Sequence, residues 1–196
     1  MAYPSKTSAG QITEAAVAIV ATTGLRGLSL RAVASSLGVT PMTIYRYFAD
    51  VSQLEAAVGA RVSAALLAVL IKATEGHSPE AAIRAVATAY LRFARDHQLR
   101  YEALLVPRPE SGEDAVAPKE LWDFFTGQVA RLVGTDRAGE AAMSLWAFLH
   151  GVAALQSARV FNEEKPFSSV VFGLSAWLAA ARLAGEHSVV APDLTP

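Results

Sequence analysis

The stretch Leu28 to Phe48, LSLRAVASSLGVTPMTIYRYF, decides the reading of this chain. Ser29 stands just before an apolar-periodic run, where a hydroxyl accepts one of the N–H groups that a first helical turn leaves open. Leu28 before this cap and Val33 at the fourth helical position have the spacing of a hydrophobic staple. Leu30, Val33, Ala34 and Leu37 share one face, and Gly38 supplies a left-handed stop. The next helix follows almost at once. Thr40 is its cap, and Pro41 occupies the first turn, where a missing N–H costs nothing. Val39 and Ile44 repeat the staple spacing. Two short capped helices joined through a glycine have the spacing of a helix-turn-helix.

Such a unit suits DNA, because its second helix puts N-terminal residues into the major groove. With Ile44 and Phe48 facing inward beside Val39, the residues Pro41, Met42, Thr43 and Arg46 point away from the core. A threonine donates or accepts at base edges, and Met42 or Pro41 packs on a thymine methyl. Tyr45 and Tyr47 carry hydroxyls long enough to reach phosphates on either side of the groove. Arg31, in the first turn of the preceding helix, reaches either a phosphate or a guanine edge. Short capped helices joined by glycine also occur in any helical bundle, with tyrosines half-buried as packing. Spacing alone leaves the two readings level.

Working outward, the same signals recur. Ser8 with Gln11 forms a capping box for a helix from Ala9 to Thr23, with Ile12, Ala15, Ala16 and Ile19 as its apolar stripe and Gly24 as its stop. Asp50, with Gln53 at the box position, opens a long fourth helix. Ser78-Pro79-Glu80 opens another that ends near Asp96, and a short one spans Gln98 to Leu105. Pro107, Pro109 and Pro118 bracket a polar stretch, Arg108 to Ala117, read as a mobile loop. Further helices are expected over Lys119 to Val133, Arg137 to Asn162 and Pro166 to Gly185, with a frayed tail. Alanine, the best helix former, fills 39 of 196 positions, and no run alternates with period two. The chain reads as all-α.

Composition narrows the function classes. There is no cysteine, so disulfides, cysteine nucleophiles and thiolate metal sites are excluded. His77, His97, His150 and His187 show no zinc-like spacing, no catalytic constellation is visible, and no cofactor motif follows a strand. We expect no catalytic residues, no metal and no cofactor. The opening MAYPSKTSAG lacks an apolar signal region, and the most apolar short run, Ala64 to Ile71, is far below the ~18 residues of a membrane span. A cytoplasmic protein without a membrane partner is expected. Net charge is −1 overall, yet residues 1–50 hold four basic and two acidic side chains, or +2. The signal is small, but its sign suggests a split between a head and a body.

GLRGLSLRAVASSLGVTPMTIYRYFADVSQL resembles the N-terminal DNA-binding domain of the TetR family of transcriptional repressors. The resemblance covers roughly residues 8–60. It rests on the small-residue first helix, the Ser-x-Arg-x-Val-Ala start of the second, Leu-Gly-Val at the turn and Thr-Ile-Tyr-Arg-Tyr-Phe. It implies a three-helix DNA-binding domain over residues 1–50 and a helical effector-binding and dimerisation domain over residues 51–196. Ser29, Thr40 and Tyr45 match phosphate-contacting positions, with Tyr47 beside them. Arg31, Pro41, Met42 and Thr43 match positions that approach bases. Two departures stand out: Val51 where the family often has a lysine, and Gln11 where it often has a basic residue. Fewer phosphate cations imply weaker non-specific affinity.

In the body, Ser144 to Phe161 resembles the Trp-x-x-x-His-Gly segment of one subgroup of TetR-like C-terminal domains. The resemblance implies a homodimer through the last two long helices, and Leu145, Leu149, Val152 and Leu155, with Val170, Leu174, Trp177, Leu178 and Ala181, repeat at helical spacing. It also implies a cavity for a small apolar effector, lined by Tyr90, Phe93, Tyr101, Trp122, Phe125, Met143, Trp146 and His150. An aromatic stripe is more often plain core, and His150 in an apolar helix is more often a core histidine bonded to a carbonyl. The expected function is ligand-responsive repression on a palindromic double-stranded operator. The competing readings are a helical-bundle enzyme or carrier, which turnover or a bound metal would favour, and an architectural DNA binder, which a cavity-free body would favour.

Overall fold

The structure is a computed structural model and describes residues 7–107, 112–159 and 166–186, with side chains from 170 to 185 in the last segment. Every regular element among the described residues is helical: α1 (Ala9–Thr23), α2 (Leu30–Leu37), α3 (Pro41–Tyr45), α4 (Val51–Thr74), α5 (Pro79–Asp96), α6 (Gln98–Tyr101), α7 (Glu113–Val133), α8 (Thr135–Ser157) and α9 (Pro166–Glu186). The all-α reading holds.

Local chemistry sets the first boundaries where the sequence puts them. Ser8 Oγ accepts from Gln11 N, and Gln11 Oε1 accepts from Ser8 N, closing the capping box. Ser29 Oγ accepts from Ala32 N at 3.1 Å. Gly38 sits in the left-handed region (φ 65, ψ 31), which a residue with a Cβ enters only at a cost. Asp50 Oδ1 accepts from Gln53 N, while Gln53 reaches back one residue further, to Ala49 N.

Two compact units divide the chain, Met1–Ala68 with Asp96–Leu121, and Val69–Arg95 with Trp122–Pro196, so that α4 and α7 each run through both. In the first unit α1 packs on α2 and on α6, and α2 on α3. Its buried side chains include Ile12, Ala16 and Val20, Leu30, Val33 and Ala34, Ile44 and Phe48, and Leu54 and Val58. The buried stripe of α1 thus ends on Val20, with Ile19 only half-buried. In the second unit Ile83, Val86 and Tyr90 of α5, Phe125 and Val129 of α7, Leu145 and Leu149 of α8, and Leu174 and Leu178 of α9 are buried. Polar ties join its elements. Arg182 and Arg84 share the carboxylate of Glu80, and Arg131 Nη2 donates to the His77 carbonyl at 2.9 Å.

Three expectations change. Residues 113–117 are helical, and α7 runs through Pro118 instead of starting after it. The proline forgoes one bond, the one to the Asp114 carbonyl, and it is buried there. Burial holds the Asp114 carboxyl above its ordinary range, Glu113 adds to this, and Arg61 opposes it. Second, α8 ends at Ser157, short of Asn162, and Arg159 has φ 51. Third, α4 and α8 are long and apolar enough to cross a membrane, with mean hydropathy 1.9 and 1.2 over their best windows. The apolar faces of both are used for burial, through Leu54, Val58, Val62, Leu66 and Leu70 in α4 and Leu145 and Leu149 in α8. The loop expected at residues 108–111, the segment 160–165 and the tail after 186 lie outside the described residues.

Candidate nucleic-acid interface

The recognition helix α3 is five residues long, so little of it can be core. Ile44 is fully buried and Phe48 nearly so, while Met42 is 70% exposed and Tyr45 52%. Pro41, Arg46 and Thr40 are exposed as well, and Thr43 is half-buried. A methionine and a tyrosine held in water by a short helix are poor for solubility and good for contact with an apolar, hydrogen-bonding surface. Arg31 on α2 is exposed. Ser29 uses a lone pair for its cap bond, and its hydroxyl proton remains for an acceptor such as phosphate.

Two hydroxyls behave differently from expectation. Thr40 takes the N-cap position of α3 but makes no side-chain bond to the helix N–H groups; its Oγ1 lies 3.2 Å from Thr43 Oγ1. Tyr47 OH donates to the Thr7 carbonyl at 2.7 Å. That bond uses the only phenolic proton, so in this arrangement Tyr47 has lone pairs alone to offer, and phosphate does not bind lone pairs. Tyr45 has no such tie among the described residues.

In the second unit, Trp146 Nε1 donates to Tyr90 OH at 3.0 Å. Trp122 lies 5.8 Å from Trp146 and 6.4 Å from Phe125 between ring centroids, and Trp146 lies 6.4 Å from His150. Tyr90, Phe93 and Phe125 are buried, and burial holds the His150 imidazole below its ordinary value. Tyr90, Trp122, Phe125, Trp146 and His150 of the proposed cavity residues therefore meet through ring contacts or hydrogen bonds. Met143 is 50% exposed, and Tyr101 belongs to the other compact unit. A separate groove of about 250 Å³ runs between α8 and α9 past Arg137, Glu140, Ser144 and Trp177, and it takes in none of the eight. Among the described residues no cluster of His, Asp and Glu is arranged to hold a metal.

Comparison with known proteins matches residues 12–58 to the bacterial regulatory proteins of the tetR family and residues 83–172 to the tetracyclin repressor-like C-terminal domain. The chain belongs to the TetR family. It is a DNA-binding transcriptional regulator. An HTH-type transcriptional regulator of Mycobacterium tuberculosis is 27% identical over 183 residues, covering 90% of this chain and 84% of that protein. A TetR regulator from Streptomyces coelicolor shares the fold with a TM-score of 0.70 at 20% identity, covering 91% of this chain and 99% of that one. A TetR from Acinetobacter baumannii, solved in complex with minocycline, shares it with a TM-score of 0.65 at 19% identity, covering 89% and 96%.

The matched TetR head takes in all nine proposed DNA-facing residues, Ser29 to Tyr47. Sequence reasoning missed three structural features outside this set. Thr7 carries the carbonyl that engages Tyr47, from forty positions away, and no local signal announces it. Gly59 of α4 lies against the Ala103 carbonyl so closely that a Cβ there would sit 2.8 Å from the oxygen. Thr126 of α7 buries a hydroxyl oxygen that has no partner among the described residues.

Proposed function

We propose that this TetR-family protein is a ligand-responsive repressor. A homodimer sets two recognition helices on a palindromic operator, and a small apolar effector held in the body releases them. The observation that carries the reading is the exposure of Met42 and Tyr45 on a helix whose Ile44 is wholly buried. In this proposal Ser29, Thr40 and Tyr45 contact phosphates. Arg31, Pro41, Met42 and Thr43 approach bases, and Arg46 adds positive charge at the rim. Tyr47 reaches a phosphate only by giving up its bond to Thr7, so its main part is to hold the segment that leads into α1. Residues 1–50 are the DNA-facing part and residues 51–196 the effector and dimer part. The protein works in the cytoplasm, with no cofactor and no membrane partner.

Dimerisation is supported by the outer faces of α8 and α9. Val171, Phe172, Leu183 and Leu155 are all exposed, Phe172 at 78%. Large apolar side chains gathered on two adjoining helices call for a partner. Of the stripe read from sequence, Leu145, Leu149, Leu174, Leu178 and Ala181 are buried in the protomer's own core, while Leu155 belongs to the exposed face.

The aromatic group of Tyr90, Trp122, Phe125, Trp146 and His150 supports an apolar, planar effector with one hydrogen-bonding function. Met143 and Tyr101 stand at the margin of this assignment. An effector that binds better to a wrongly spaced dimer shifts the population off the operator. Coupling of about 1–3 kcal/mol changes operator affinity roughly 5- to 150-fold. The test is a thermal-shift screen of apolar aromatic compounds, followed by operator titration with each hit. Hits that weaken operator binding support the proposal. Hits that stabilise the protein and leave operator affinity unchanged reject it.

A further inference from the structure

The Thr40 and Thr43 hydroxyls face each other at 3.2 Å, brought together by the backbone bond from Thr43 N to the Thr40 carbonyl at 2.9 Å. Each hydroxyl has one proton. Thr40 spends nothing on capping α3, so, with the hydrogen bond between the two hydroxyls kept on binding, the pair has two arrangements. Either Thr40 donates to Thr43 and the Thr43 proton points outward, or Thr43 donates to Thr40 and the Thr40 proton points outward. A phosphate oxygen accepts and never donates. Contact between Thr40 and a phosphate therefore admits only the second arrangement, and Thr43 is left with lone pairs and its methyl group.

We infer that Thr43 reads the major groove as an acceptor, selecting a base that presents an exocyclic amino group, and that the Thr40 hydroxyl sets this polarity. Adenine N6 and cytosine N4 are the amino donors in that groove, while guanine O6 and thymine O4 are acceptors. Thr43 is the specificity-determining residue and Thr40 the positioning residue. The inference rests on the proposed interface, in which Thr40 faces a phosphate and Thr43 a base. Carbonyl acceptors on the base are rejected because two lone pairs then face one another with no proton between them.

The test is selection of bound duplexes from a random pool by the full-length protein and its Thr43→Val, Thr40→Val and Thr40→Ser variants. Thr43→Val defines the position that Thr43 reads, as the one where preference relaxes. At that position the wild type is expected to favour adenine or cytosine by about tenfold. In Thr40→Val the Thr43 proton is released, and the preference there moves toward guanine or thymine while other positions keep theirs. Thr40→Ser keeps the hydroxyl and the wild-type preference. Both residues lie outside the core, and a melting curve matching the wild type confirms that each variant is folded. The inference is overturned if the wild type favours a keto base there, if Thr40→Val leaves the preference unchanged, or if Thr43→Val relaxes no position. A wild type that selects no sequence at all overturns the underlying interface as well, and is told apart because every variant then fails alike.

Discussion

Among the described residues Thr126 hides its hydroxyl oxygen without a hydrogen bond, and an unmet buried polar atom costs about 1–3 kcal/mol. Valine has the same outline without that oxygen. Thr126→Val is expected to stabilise the protein by about 1 kcal/mol, read as a higher urea midpoint with an unchanged slope; a lower midpoint would mean that the hydroxyl has a partner. His150 gives a second test. Its imidazole is held below the ordinary value of 6.5 by burial. As pH falls the unfolded chain takes up the proton first, so stability declines from about pH 6.5 downward until the folded pKa is passed. His150→Gln is expected to remove that part of the decline, checked by melting temperatures at pH 7.5 and 5.5. An equal decline in the variant would assign it elsewhere. At this scale the sequence was readable where the chemistry is local. The caps at Ser8, Ser29 and Asp50 involve partners three residues away, and so they stand in the sequence itself. The Tyr47 bond to Thr7 joins residues forty apart, and nothing in either neighbourhood encodes it.

Helix α4 shows how an element can be constrained at one point. A Cβ on Gly59 would meet the Ala103 carbonyl at 2.8 Å, and a backbone oxygen cannot swing aside. Alanine gains about 1 kcal/mol in helix propensity, but overpacking of this kind costs about 1–3 kcal/mol. Gly59→Ala is therefore expected to be neutral to destabilising, unlike an exposed helical glycine such as Gly139, where the same change stabilises. A urea series on both variants checks this, and equal gains would show that the close approach is absent. Helix α7 defeated sequence reading for a related reason. Pro118 is a breaker by propensity, yet it is buried inside the helix; tertiary burial outweighs one lost backbone bond. From Ala141 onward in α8 and from Val170 in α9, apolar side chains lie on more than one side of the helix. Periodicity fixes that the helices are amphipathic and leaves open which stripe faces the protomer's core.

That distinction decides the behaviour of the whole molecule. Leu174 is 6% exposed and Phe172 is 78% exposed on the same helix. Leu174→Arg buries an unpaired charge, costs about 3–5 kcal/mol and is expected to unfold the protomer. Phe172→Glu leaves the helical circular dichroism intact and is expected to turn a dimer into a monomer in sedimentation velocity. A dimer that survives Phe172→Glu would place the interface elsewhere. The order of the helices and the identity of the DNA-facing head were legible because they rest on short-range capping and on Thr-Ile-Tyr-Arg-Tyr-Phe. The residues proposed for an effector were grouped by the sequence in part: Tyr90, Trp122, Phe125, Trp146 and His150 come together, but aromatic content cannot say that Met143 lies at the surface.

The central claim is that a symmetric dimer reads DNA through α3. The most direct measurement is recovery of wild-type binding sites from random duplex DNA by the full chain. A palindrome is expected, its half-site centres about 10–10.5 base pairs apart or a multiple of that spacing. Tyr45→Phe should bind every recovered sequence more weakly by a similar factor, since phosphate contacts carry no sequence information. Recovery of single, unpaired half-sites, or of no preferred sequence, would contradict the claim.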